Sequence, residues 1–329
     1  MIYDNLKKNK NNIVEVQNKV IIHFVKGPYV EIKGSTNSEY KVEFIDNKTD
    51  KIHYSTKIKN NCWCKCSIEY CVEWKIKIYE NDKLWYEYIY NAKGKRVYIA
   101  MDSRALGDSL AWVAYVEEFR KKHQCEIIAS TFMNDMFIEQ YPNITFTNPG
   151  MGVENLYAMY CVGLFYNDDS SVNLFKNPID PKTQTMQKMC SDILGLDFVE
   201  VRTKIKKRNV KIDPTLKQVC IGVFGTAQSK FWNNPTGWQD VVDWLNNKGY
   251  TVKLLSKEND DYMGNKLPKG IVKHPHGPIE RVMMEMKKSK AFIGIGSGLS
   301  WLSWSLDVPT VLISGFSYDW AEMEDCIRI

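Results

Sequence analysis

Three stretches of the chain carry residue types that do chemistry, and each follows an apolar run. Asp108 lies in Asp102–Trp112 (DSRALGDSLAW), and Lys230 lies in Gly225–Trp232 (GTAQSKFW). The turn Gly296-Ser297-Gly298 lies within Ala291–Ser314 (AFIGIGSGLSWLSWSLDVPTVLIS). A carboxylate can take a proton from an attacking hydroxyl. A lysine is a compact charge, worth roughly 4 kcal/mol at about 4 Å from a phosphate oxygen before desolvation is counted. The turn lets backbone amides approach a phosphate or diphosphate, with the following helix aiming its positive end there. Glycine is needed where a Cβ would block that approach. Each stretch also has a plainer explanation. Aspartate is a favoured helix N-cap, a loop lysine is often solvated, and such turns exist for packing alone. Position by itself leaves both readings open.

Other residues weigh less. Trp232, Trp238, Trp301 and Trp304 flank these loops and could stack on a sugar or base, or simply form core. His274-Pro275-His276 has no metal spacing and reads as a loop. Of the nine cysteines, only Cys62, Cys64, Cys66 and Cys71 cluster. On a strand the first three would project from one face about 6.5–7 Å apart, too far for one tetrahedral metal. They read as reduced thiols on a buried strand face.

Several signatures are missing from the sequence. It has no G-x-G-x-x-G, no G-x-x-x-x-G-K-[ST], no G-x-S-x-G elbow and no D-x-D. A dinucleotide oxidoreductase is therefore disfavoured. A diphosphate held here would be neutralised by Lys230 and a helix end rather than by magnesium.

The elements that position these residues change period near Arg96. Upstream, Val20–Val25, Tyr29–Ile32, Tyr40–Phe44, Ile52–Ile58, Tyr70–Tyr79 and Leu84–Tyr90 alternate as an antiparallel β domain over 1–95. Downstream, strands and helices alternate: Val97–Met101, Asp108–Lys122, Glu126–Ser130, Ile144–Phe146 and Pro181–Leu194. A second set follows with Val219–Phe224, Thr236–Lys248, Thr251–Ser256 and Gly277–Lys288, then strand Ala291–Ile295, helix Leu299–Leu306 and strand Pro309–Ile313. That is an α/β chain with two Rossmann-like domains, 96–212 and 213–329.

Composition bounds the class. With 329 residues, 44% hydrophobic and 25% charged, the chain reads as globular with room for several cores. A net charge of +5 with scattered lysines and a KIKKR connector at Lys204–Arg208 carries no nucleic-acid signature. Met1–Asn12 lacks the apolar core of a secretory signal, and the uncharged run 291–306 is shorter than the roughly 20 residues of a membrane span. A cytoplasmic protein is expected.

LGDSLAW (Leu106–Trp112), SKFWN (Ser229–Asn233) and GIGSGLSWLSWSLDVPTVLISGFS (Gly294–Ser317) together resemble the protein-modifying heptosyltransferases of bacterial autotransporter adhesins. These are relatives of the lipopolysaccharide-core enzymes in glycosyltransferase family 9, and the similarity spans nearly the whole chain. The resemblance implies two Rossmann-like domains in the GT-B arrangement and inverting transfer from ADP-heptose to a hydroxyl, plausibly serine, of a surface-destined protein. It also implies that Asp108 is the general base and Lys230 the diphosphate ligand. Gly296, Ser297, Gly298, Leu299 and Trp301 would then form the donor cradle. Where core-type enzymes carry an acidic residue and a histidine around this turn, the chain has Gly296 and Trp301, which sides with the protein-modifying branch.

That branch also holds an iron by cysteines beyond the final α/β strand. The last residues here, Cys326-Ile327-Arg328-Ile329, come before any C-x-x-C, so either the sequence is truncated or the metal element is missing, and Cys326 alone cannot hold iron. No cofactor is expected for catalysis. The expected partners are a nucleotide-diphosphate sugar, a protein acceptor and further copies of the chain. Transfer to a lipopolysaccharide or other glycan, or nucleotide-sugar binding without catalysis, are the alternatives.

Overall fold

The computed structural model describes residues 2–3, 19–101, 103–206, 210–275, 277–315 and 322–329. Asp102, Lys207, Arg208, His276, Phe316, Ser317 and most of Met1–Asn12, all within stretches singled out by sequence, lie outside the described residues.

The N-terminal third is β-structure: β1 (Ile2–Tyr3), β2 (Lys19–Val25), β3 (Tyr29–Lys33), β4 (Glu39–Asp46), β5 (Ile52–Lys59), β6 (Cys62–Lys65), β7 (Trp74–Glu80) and β8 (Lys83–Ile89). Alternation decides the faces. Val20, Ile22 and Phe24 of β2 and Trp74, Ile76 and Ile78 of β7 are buried, while their neighbours are more exposed.

From β9 (Arg96–Met101) the chain alternates: α1 (Leu106–His123), β10 (Glu126–Ser130), β11 (Ile144–Thr147), β12 (Ala158–Val162) and α2 (Met186–Ile193). The last part has β13 (Gln218–Gly222), α3 (Gly237–Asn247), β14 (Thr251–Leu254), β15 (Val272–Lys273), α4 (Ile279–Lys288), β16 (Ala291–Ile295), α5 (Gly298–Ser305), β17 (Thr310–Ile313) and β18 (Ile327–Arg328).

Among the described residues these strands form three sheets. β15-β14-β13-β16-β17-β18 is parallel throughout, and β5-β4-β7-β8 is antiparallel. The third runs β11-β10-β9-β12-β2-β3-β6, with β1 beside β2. In it, β12 pairs parallel with β9 on one side and with β2 on the other, through Ala158 opposite Phe24. Hydrogen bonding thus crosses residue 95, so part of the N-terminal β-structure extends the first parallel sheet.

Several local readings change, and β7 begins at Trp74 rather than at Tyr70. β12 has no counterpart in the sequence reading, which runs unbroken from Phe146 to Pro181. The helix expected over Pro181–Leu194 is a 3-10 turn at Pro181–Thr183 followed by α2. Thr185 separates them, its side chain accepting from the Lys188 amide at 2.9 Å as an N-cap. Cys62 is exposed rather than part of a buried thiol face, because β6 is an edge strand and Cys62 begins it. Cys64, Cys66 and Cys71 are buried, and none of the nine cysteines is joined in a disulfide.

Helix α5 is buried on almost every side, as a helix without charge should be. Its hydroxyls are satisfied internally. Ser300 donates to the Ile295 carbonyl (2.6 Å), Ser305 donates to that of Trp301 (2.8 Å), and Ser303 bonds to Thr310 (2.9 Å). These small side chains allow close packing against α1, which is itself buried from Ser109 to Val116.

Candidate active site

The carboxyl ends of β9, β13, β14, β15 and β16 open onto one cleft of about 580 Å³. Ligands of parallel α/β sheets bind at such ends. The segment after β9 supplies Arg104, Gly107 and Asp108, and that after β13 supplies Phe224, Thr226 and Lys230. The segments after β14 and β15 supply Ser256, Glu258 and His274, and β16 is followed by Gly296, Ser297, Gly298, Leu299 and Trp301. All seven residues nominated from sequence line this single cavity.

Asp108 is not the helix cap. Ala105 occupies the N-cap of α1 without a side-chain hydrogen bond, and Asp108 stands inside the first turn. Burial pushes its carboxyl above the ordinary carboxylate range, against a hydrogen bond with Ser103 and the positive charge of Lys230. The lysine and the aspartate therefore sense each other within the cleft.

Helix α5 meets the cavity with its N-terminus. Ser297 is at its N-cap but makes no capping bond, and its Oγ is buried with no partner among the described residues. A buried hydroxyl in that state loses free energy unless a ligand satisfies it. The α1 N-terminus lies directly beside it, so two sets of unsatisfied helix amides face one space.

Of the four tryptophans, Trp301 lines the cleft, with its ring against Gly107. Trp232 and Trp238 pack edge to face at 5.5 Å, and Trp304 lies under the Arg202 guanidinium at 5.1 Å, neither arrangement lining this cavity.

Sequence reasoning missed Arg104, Thr226, Ser256, Glu258 and Glu322, all of which line the cleft. It took His274 as a loop residue; the loop follows β15 and forms cleft wall. His274 Nε2 is buried without a partner, and burial lowers its pKa. An adjoining hollow of about 540 Å³ shares Ser256, Glu258, His274 and Pro275 with the cleft. Within it Ser256 Oγ and Glu258 Oε2 are 2.6 Å apart, fixing that turn. The available signal was position alone, since several of these follow a parallel strand.

Among the described residues no group of three or more His, Cys, Asp or Glu could hold a metal ion. The Cys326 thiol donates to the Met323 carbonyl at 3.3 Å. Among the same residues no helix is long and apolar enough to cross a membrane.

No family profile matches the chain. It is 32% identical over 292 residues to the autotransporter heptosyltransferase Aah of Escherichia coli, covering 85% of this chain and 72% of that one. The solved structure of TibC from enterotoxigenic E. coli superposes with a TM-score of 0.83 at 27% identity, covering 94% of this chain and 81% of that one. TibC is described as a bacterial iron-containing dodecameric glycosyltransferase. A second TibC structure, in complex with ADP-D-beta-D-heptose, gives a TM-score of 0.82 at 26% identity with the same coverage. BimC of Burkholderia thailandensis, named an inactive autotransporter heptosyltransferase, is 25% identical over 78% of this chain and 62% of its own length.

Proposed function

The chain belongs to the autotransporter heptosyltransferases, and from that premise we propose that it moves a heptose from ADP-heptose to a serine hydroxyl of an autotransporter protein, inverting the anomeric carbon. One observation carries the reading: Asp108 and Lys230 line a single cleft that two helix N-termini also face.

The acceptor oxygen attacks the anomeric carbon from the face opposite the diphosphate. As the new C–O bond forms, the bond to the leaving phosphate oxygen breaks and its electron pair departs with ADP. Asp108 takes the hydroxyl proton. No aspartate ionises an alcohol beforehand, so proton transfer accompanies attack, and a carboxylate made more basic by burial does this better. Lys230, the amides opening α5 and the Ser297 hydroxyl stabilise the departing diphosphate, the electrostatic contribution expected to be largest. The adjoining hollow with Glu258 and His274 suits the nucleoside.

The all-parallel β13–β18 sheet and the parallel run β11-β10-β9-β12-β2 of the mixed sheet, both ending at one cleft, support the GT-B reading with parts 1–95, 96–212 and 213–329, the first of which shares its sheet with the second. Dodecameric TibC supports assembly of this chain into a homo-oligomer. A nucleotide-sugar donor supports a cytoplasmic site of action.

The test is incubation with ADP-heptose and a cognate autotransporter passenger, read by intact mass. A heptose increment on serine with released ADP is expected; ADP-heptose bound without any increment would move the chain to the non-transferring reading that BimC's name raises.

A further inference from the structure

A second hollow, of about 620 Å³, opens beside the catalytic cleft and shares Leu106, Met133 and Ile279 with it. Leu106 stands two residues before Asp108 on the wall of both cavities, so a hydroxyl reaching Asp108 brings its chain neighbours to the mouth of this hollow.

We propose that the hollow seats the acceptor polypeptide beside the reacting hydroxyl and selects uncharged, apolar flanking residues. The inference rests on the transferase reading above. Its walls are soft and apolar: Phe132, Met133, Met136, Ile279 and Met283. Thioether side chains adapt to several apolar shapes, which suits a protein segment better than one rigid metabolite. Phe132 is 44% exposed, a large ring left in water beside a reaction site. The Arg104 guanidinium covers its ring at 4.9 Å.

The wall is also pre-formed. The Thr131 amide donates to Asn134 Oδ1 at 2.9 Å, and Asn134 Nδ2 donates to the Thr147 carbonyl at 2.8 Å, bracing this loop against the end of β11. Bracing lowers the ordering cost of binding.

Charge decides the class of occupant. Asp135 and Glu280 line the hollow, and Lys206, the cation among the lining residues, is ion-paired with Glu139. An anionic glycan or phospholipid headgroup would be repelled by these carboxylates, whereas an uncharged peptide segment would not be.

The experiment uses the full chain with ADP-heptose and two synthetic nine-residue peptides bearing one central serine. One is flanked by valine and alanine, the other by aspartate. The parent should favour the apolar peptide at least about tenfold in kcat/KM. Phe132→Ala and Met136→Glu should each raise its KM about tenfold while the Kd for ADP, measured by calorimetry, stays at the parental value. Phe132→Leu should restore the KM. Equal use of the two peptides by the parent, or a KM within twofold of the parental value in both variants, overturns the inference alone. Transfer to a glycan acceptor with none to either peptide also overturns it. A parent that binds no ADP overturns the transferase reading as well.

Discussion

Gly107 and Gly298 hold the first turns of α1 and α5 at backbone contact. A methyl built on Gly298 would lie 3.2 Å from the Gly107 nitrogen and 3.0 Å from Leu106 Cβ. One on Gly107 would lie 3.0 Å from Trp301 Cδ1 and 3.5 Å from Gly298 Cα. The absence of two side chains brings the carrier of Asp108 against the turn at Ser297.

Gly298→Ala should therefore be the more damaging substitution, because it meets backbone that cannot rotate away. We expect a loss of about 1–3 kcal/mol in stability. Transfer should slow by tenfold to about 10²-fold as the helix ends part by a fraction of an ångström to an ångström. Gly107→Ala, whose nearest obstacle is an indole edge, should cost less on both counts. Thermal unfolding and the initial rate of heptose transfer check the order; the reverse order would refute the close-approach argument.

Asp108→Asn separates catalysis from stability. Transfer should fall about 10²–10⁴-fold with ADP affinity retained. Because burial raises the carboxyl's pKa in the folded state, ionisation costs stability as pH rises through that folded value. The neutral amide escapes the cost. Asp108→Asn should accordingly unfold at a higher temperature than the parent at pH 7, and the gap should close below about pH 3.9, where both states hold the proton. A variant no more stable than the parent at pH 7 contradicts this.

Lys230→Met removes a cation from the cleft. ADP should bind about 10–100-fold more weakly, the loss of one charge-assisted hydrogen bond. Lys230 also lowers the pKa of Asp108, so its removal should shift the acidic limb of the kcat/KM profile to higher pH. An acidic limb that stays in place would show that the two groups do not communicate.

What the sequence could show depended on how local the cause was. The uncharged run ending in α5 was legible because a helix without polar face has to be buried, and the structure starts it within one residue of the expected position. That Asp108 and Lys230 would stand at strand ends was legible from their place after apolar runs, and both line the cleft. β12 was not: its five residues acquire strand character by inserting between β9 and β2, a pairing of Ala158 with Phe24 far apart in the chain. Likewise Glu258 and His274 sit in undistinguished loop sequence, and only the sheet that carries β14 and β15 brings them to one wall. Cys62 escaped the buried face because pattern alone does not say which strand ends a sheet.

His123 supplies a stability test remote from the cleft. Its ring packs 4.3 Å from Phe119 and 5.7 Å from Tyr90, and its Nε2 is buried without a partner. A cation in the last turn of α1 would be favoured by the helix dipole, yet burial outweighs that and pushes the pKa down to about 4. A folded pKa below the unfolded 6.5 means the unfolded chain takes up the proton first. The contribution is complete above pH 6.5 and drains away as pH falls toward 4. His123→Phe keeps the ring and removes the proton site, so between pH 7.5 and pH 5 its urea midpoint should drop less than the parent's. Equal drops in the two proteins would mean that the imidazole is solvated and charged in the folded chain.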